Sequence, residues 1–164
     1  MTGRLTFIVI AAIANFGLGA FVYLRHVRNP INRYFAFFSF AVAAWTLSNG
    51  LVSTYASSPW GYLWARFAFA SASLIPITFL WFADVFPTSH PNLSRRLINV
   101  LSVLAACSFV VSLTSLMVRG TTSLDDALQV TYGPLHLPFG IYLVCCFAAS
   151  LFILLRKLGT LTGL

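Results

Sequence analysis

Between Arg4 and Arg25 the chain carries no charged side chain, and stretches of the same kind return along the rest of its length. A helix of about 20 apolar residues rises about 30 Å, the thickness of a bilayer's hydrocarbon core. A chain built from such runs has lipid, not water, as its main solvent. Composition agrees: 59% of residues are hydrophobic and only 8% charged, where a soluble domain carries about a quarter charged. The ten basic residues outnumber the three acidic ones, but they stand in short groups between the apolar runs and form no stripe. That is the pattern of membrane topology and argues against nucleic-acid binding.

Punctuation residues divide the chain into five predicted transmembrane helices, over residues 5–24, 31–55, 61–86, 97–118 and 137–155, in one all-α membrane-embedded domain covering residues 1–164. Asn29-Pro30 separates the first two, with Asn29 or Asn32 placed to cap the second. Ser57-Ser58-Pro59 ends the second helix, and Trp60, Tyr62 and Trp64 supply rings suited to the headgroup level. Pro76 falls inside the third helix and should kink it, and Pro87 should stop it. A polar loop with Asp125 and Asp126 precedes Gly133-Pro134, where glycine's access to positive φ and proline's fixed φ should aim the fifth helix back into the membrane. The first run is too long for a signal peptide and is followed at once by Arg25, Arg28 and Arg33, so it should remain in the membrane.

Short cytoplasmic loops are enriched in Lys and Arg. Arg25, Arg28, Arg33, Arg95, Arg96, Arg156 and Lys157 would share one side of the membrane, against Arg4, Arg66 and Arg119 on the other. The bias predicts an outside N-terminus and an inside C-terminus. Small residues recur at helical spacing, as Ala11, Asn15 and Gly19, as Ala36, Ser39, Ala43 and Gly50, and as Ala68 and Ala72. They mark faces where helix backbones can approach closely, and a binding cavity there is the alternative.

An ionisable or polar group inside a membrane is costly and invites a functional reading. Arg66 and Asp84 qualify, at opposite ends of the third helix and about 27 Å apart along it, so they cannot pair there. Arg66 is expected to snorkel to its surface. Asp84, with a shorter reach, is expected to hold a polar or basic partner from a neighbouring loop, with Arg28, Arg95 and Arg96 as candidates. Asn15 and Pro76 complete the intramembrane candidates.

His26, His90 and His136 lie in separate loops on both sides, so no ligand set and no metal site is readable, and His136 reads as a solvated loop residue. Cys107, Cys145 and Cys146 fall in apolar runs and read as small hydrophobes. A retinal protein would need a lysine deep in a helix, and the one lysine, Lys157, stands at a helix end. An intramembrane protease would need a nucleophile and base facing each other, and a secondary transporter a mid-membrane charge and paired broken helices. No nucleotide fingerprint, catalytic residue or cofactor site is expected.

The order and spacing of several loose motifs carry a resemblance. Arg28-Asn29-Pro30-Ile31-Asn32-Arg33 with Phe35 is followed by Trp45, by Leu63-Trp64-Ala65-Arg66, and by Pro76 with Phe79 to Phe82. Tyr132-Gly133-Pro134-Leu135 then leads to Leu154-Leu155-Arg156-Lys157. Together they resemble the N-terminal seven-helix membrane region of bacterial sensor histidine kinases, of which this chain looks like the first five helices. The resemblance implies a multi-pass protein of the bacterial inner membrane that acts as a sensory input module in two-component signal transduction. It would have no catalysis of its own, because in that family the phosphorylated histidine and the ATP site follow the membrane region. Expected partners are the lipid bilayer, attached cytoplasmic signalling domains or a second copy of the chain, and a small apolar ligand as stimulus. A small transporter or channel component, with Arg66 and Asp84 flanking a pathway, or a structural membrane subunit, stands as the alternative.

Overall fold

The computed structural model describes residues 2–56, 58–87, 91, 93–124 and 127–162. Five helices dominate: α1 (Thr2–Arg25), α2 (Pro30–Thr54), α3 (Pro59–Val85), α4 (Arg95–Ser112) and α5 (His136–Thr162). Each is long and apolar enough to cross a membrane. The Asn29 carboxamide accepts from Ile31 N at 2.9 Å with Pro30 in the first helical turn, so Asn29 caps α2. Asn32 serves the other helix, its Nδ2 donating to Val22 O in the last turn of α1 at 3.0 Å.

Two helix ends and the loop before α5 depart from the sequence expectation. The fourth helix stops at Ser112, not at residue 118, because Thr114 Oγ1 turns back to Val111 O at 2.7 Å and the chain then becomes extended. The expected polar loop holds an antiparallel hairpin, β1 (Val118–Leu124) and β2 (Ala127–Tyr132), with Thr121 opposite Val130 and a bulge between Val118 and Gly120. Asp125 and Asp126, expected in that loop, lie outside the described residues, as does His90. Conversely, α5 runs on to Thr162, past the Arg156-Lys157 pair.

Gly133 is required by a close approach. Its amide donates to Met117 O at 2.8 Å, and any Cβ there would collide with the Leu116 carbonyl. The expected positive φ is not what selects glycine at this turn.

The bundle is organised around α3, which packs on α2, α4, α5 and the first strand, whereas α1 packs chiefly on α2. Ala65, Ala68, Ile77 and Leu80 of α3 join Ala105 of α4, Phe139, Tyr142 and Cys146 of α5, and Met117 and Val118 at the hairpin root in one buried cluster. Rings fill the wider parts of the helix contacts. Phe38 meets Phe79 at 5.3 Å and Phe35 meets Phe82 at 5.9 Å between α2 and α3, while Phe79 reaches Phe147 of α5 at 6.0 Å. The small-residue faces of α2 and α3 are buried at Ala36, Ser39, Ala43, Gly50 and Ala68. On α1 the expected face is rotated: Ala11 is exposed, and Ala12 and Gly19 are the buried positions.

Candidate functional site

The polar groups of the bundle gather along α3. At its middle, Pro76 is fully buried. A prolyl residue in a helix removes one N–H and pushes the preceding turn apart, and in lipid the freed carbonyls need other donors. Serine and threonine hydroxyls surround Pro76. Ser73 Oγ donates to Ala70 O at 2.7 Å, and Thr78 Oγ1 bonds Leu74 O at 2.7 Å and Ile75 O at 3.0 Å. From the neighbouring helix, Tyr142 Oη donates to Ser73 O at 2.8 Å, so α5 is pinned to α3 where the proline disturbs it.

The second junction lies at the C-terminal end of α3. Asp84 is 1% exposed, and its Oδ1 accepts from Leu93 N at 2.8 Å, tying α3 to the approach of α4. The cation at this end is Lys157 of α5, itself only 8% exposed. Its ammonium donates to Ala83 O at 3.0 Å, to Asp84 O, and to Phe86 O at 3.1 Å, with the Asp84 charge in electrostatic reach. The last carbonyls of a helix lack intrahelical donors and carry a partial negative charge, so a lysine ammonium is a suitable cap. Lys157, which the sequence places at a helix end, is the buried clasp between two helices. Arg28, Arg95 and Arg96, the candidate partners for Asp84, are exposed, as are Arg25, Arg33 and Arg156.

Arg66 stands two turns into α3. Its guanidinium carbon sits 4.0 Å from the centre of the Tyr62 ring, a cation–π contact one turn along the helix. Its Nε is buried without a hydrogen-bond partner among the described residues. Asn15 Nδ2 donates to Ala11 O of its own helix at 2.9 Å. Arg66, Asp84 and Asn15 are thus three separate sites, and only Asp84 joins the α3–α5 junction.

Between α2, α3 and α5 runs a cleft of about 370 Å³. Val42, Trp45 and Asn49 form its α2 wall, Ala68, Phe69, Ala72 and Ile75 its α3 wall, and Phe139, Leu143 and Phe147 its α5 wall. Ala72 and Ile75 lie within one turn of Pro76, and the small side chains at Ala68 and Ala72 leave the space. At the end near the hairpin, Phe69 also touches Tyr132 at 6.0 Å and His136 at 5.8 Å, and the Tyr132 and His136 rings stack at 4.0 Å. His136 is therefore a half-buried member of an aromatic cluster, not a solvated loop residue.

Sequence reading missed Lys157, Tyr142, Ser73 and Asn49 as contributors. Lys157 carried a signal, as the only lysine, placed one residue beyond an arginine that already satisfies the end of the apolar run. Asn49, an amide inside an apolar run, carried another. Nothing in the sequence joins Tyr142 to Ser73, because that contact depends on which helices are neighbours.

Five membrane-capable helices, with α2, α4 and α5 against a central α3 that carries polar side chains at its junctions and α1 against α2, are the build of a multi-pass membrane protein. The profile described as the N-terminal 7TM region of histidine kinase matches residues 7–163, and the chain belongs to that family. The region it matches is the membrane sensory part of such kinases and not the catalytic part. No curated protein and no solved structure matches the chain.

Proposed function

We propose that this chain is the sensory input module of a bacterial histidine kinase, one membrane-embedded domain over residues 1–164 that relays a stimulus to a cytoplasmic effector. The observation that carries the reading is the Lys157 clasp. The end of α5 is gripped by the end of α3, so a change in α3 at Pro76 moves the terminus of α5 as well. In this reading Arg25, Arg28, Arg33, Arg95, Arg96 and Arg156 hold the clasp end at the cytoplasmic face of the inner membrane, with the N-terminus outside. A transport pathway has less support, because the cleft walls are apolar and Arg66 and Asp84 lie at opposite ends of α3.

The test joins the chain, after Leu164, to the catalytic modules of a histidine kinase in nanodiscs. The fusion should incorporate the γ-phosphate of ATP, and the 164-residue chain alone should not. At equal amounts of folded protein, Lys157→Met should change the labelling rate several-fold and Lys157→Arg should change it less. Equal rates for all three fusions would refute a relay through the clasp.

A further inference from the structure

The cleft between α2, α3 and α5 takes no part in the two polar junctions of α3. Its volume of about 370 Å³ falls within the range of about 300–1,000 Å³ typical of small-molecule pockets. Its long axis follows the helices. Asn49 lies five residues before the end of α2, about 7 Å along the helix, whereas Val42 lies about 18 Å from that end. One end of the cleft is therefore near a membrane surface, and the other is close to the middle of the hydrocarbon.

The two ends differ chemically. The deep end, at Val42, Ile75 and Phe147, is apolar. At the shallow end, Asn49 is the only lining side chain that offers a strong acceptor. Its Nδ2 is engaged, donating to Trp45 O at 2.9 Å, while its carbonyl oxygen has no donor among the described residues. Inside the span, even close to its end, an amide oxygen without a protein donor favours any molecule that brings one. Asn49 and Trp45 are exposed at the outer wall, so the cleft opens sideways and can be filled from the bilayer.

We propose that this cleft binds a membrane-dissolved amphiphile, a molecule with a slender apolar body and one hydrogen-bond donor at its end, the donor meeting the Asn49 carbonyl oxygen. The ligand enters laterally from lipid and its apolar body lies against Ala72 and Phe147. Bound there, it presses on α3 within one turn of Pro76 and on α5 at once. Its meaning as a stimulus rests on the sensory reading above, but its binding does not, and the test below measures binding alone.

The probe is decanol carrying a diazirine at its chain end, photolysed with the whole chain in phosphatidylcholine nanodiscs, with the labelled residues mapped by mass spectrometry. Label should concentrate on Val42, Ile75 and Phe147. An excess of plain decanol should remove it, whereas decane, which has the same body and no donor, should need about tenfold more. Asn49→Leu, at a lipid-exposed position where folding is not at risk, should abolish that difference. Ala72→Phe and Leu143→Phe fill the cleft from opposite walls, and whichever keeps the parent circular dichroism should lose the label.

Three results would overturn the proposal. One is label spread evenly over outward-facing residues such as Phe7 and Ile10. The second is equal competition by decane and decanol together with cleft labelling by a diazirine phosphatidylcholine, which would make an ordinary acyl chain the occupant. The third is disappearance of cleft label when two further family helices are appended, which would make a helix the occupant. Cleft labelling with no effect of decanol on the kinase fusion would leave binding intact and reject the sensory reading.

Discussion

Helices α1 and α3 are both apolar enough to cross a membrane, yet it is α3 that the bundle buries. Within their apolar stretches 61% of α3 residues are buried and only 11% of α1 residues. Apolarity brings a helix into the bilayer, but it does not choose neighbours there, because a lipid tail is as good a partner as a leucine. The choice falls to small side chains and polar groups. Helix α3 offers both around its circumference, with Ala65, Ala68, Ser71, Ser73, Thr78 and Asp84 buried in turn. Helix α1 has one close face, at Ala12 and Gly19, and turns Phe7, Ile10, Ile13, Phe21 and Leu24 outward.

The sharpest way to break this contrast is to remove the charge that closes α3. Lys157→Met takes three hydrogen bonds from the carbonyls of Ala83, Asp84 and Phe86 and leaves the buried Asp84 carboxylate without its nearby cation. Removing one partner of a buried charged cluster costs about 3–5 kcal/mol. The unfolding free energy in mixed micelles should fall by about that amount, with partial rescue in Lys157→Arg. Arg25→Met, at the exposed end of α1, should change it by less than about 0.5 kcal/mol. Similar losses for the two variants would erase the distinction between the helices.

The single close face of α1 gives the next test. A Cβ on Gly50 would stand 2.6 Å from Ile8 Cγ2 of α1, whereas one on Gly17 meets nothing within 4 Å. Gly50→Ala should therefore push α1 from α2 and cost about 1–3 kcal/mol, while Gly17→Ala should be neutral or slightly stabilising. Proteolysis of α1 in the Gly50 variant, with α2 to α5 still protected, would show that α1 is a separable strut.

Tyr142→Phe probes the support of α3 beside Pro76 with the ring left in place. The lost bond to Ser73 O is an interhelical hydrogen bond within the membrane, a type that averages about 0.6 kcal/mol and reaches about 1.7. A thermal midpoint lowered by a few degrees is expected. No change would mean that the hydroxyls of Ser73 and Thr78 satisfy the backbone around Pro76 unaided.

How much of this was legible follows from the range of each interaction. Helix number, the Asn29 cap, the place of Pro76 inside α3 and the family were readable because their signals are local or lie in the order of motifs. The hairpin escaped because Thr121, Thr122, Val130 and Thr131 form a strand pattern too short to outweigh a polar loop. The partner of Asp84 escaped because Lys157 is 73 residues away, and charge counting treats a terminal lysine as a surface residue. The cleft escaped because its walls come from three helices whose adjacency no residue announces, although Ala68 and Ala72 were readable as positions where space or close packing would occur.

The smallest expected effect belongs to Asn15, the polar residue of α1 that membrane burial alone would single out. Its amide donates to Ala11 O four residues earlier in the same helix. That carbonyl belongs to the helical ladder as well, so the contact shields the side chain from lipid without joining α1 to another element. Replacing it with leucine removes a polar group that serves only itself and adds apolar surface facing lipid. Asn15→Leu should leave the unfolding free energy within about 0.5 kcal/mol of the parent, while Asp84→Asn, at the α3 junction, should cost more. If Asn15→Leu instead loses more than about 1.5 kcal/mol, an amount an interhelical bond can carry, then α1 makes a polar contact outside this bundle. The contrast with α3 would then hold only for the isolated chain, because a second copy or a further helix would complete the exposed face of α1.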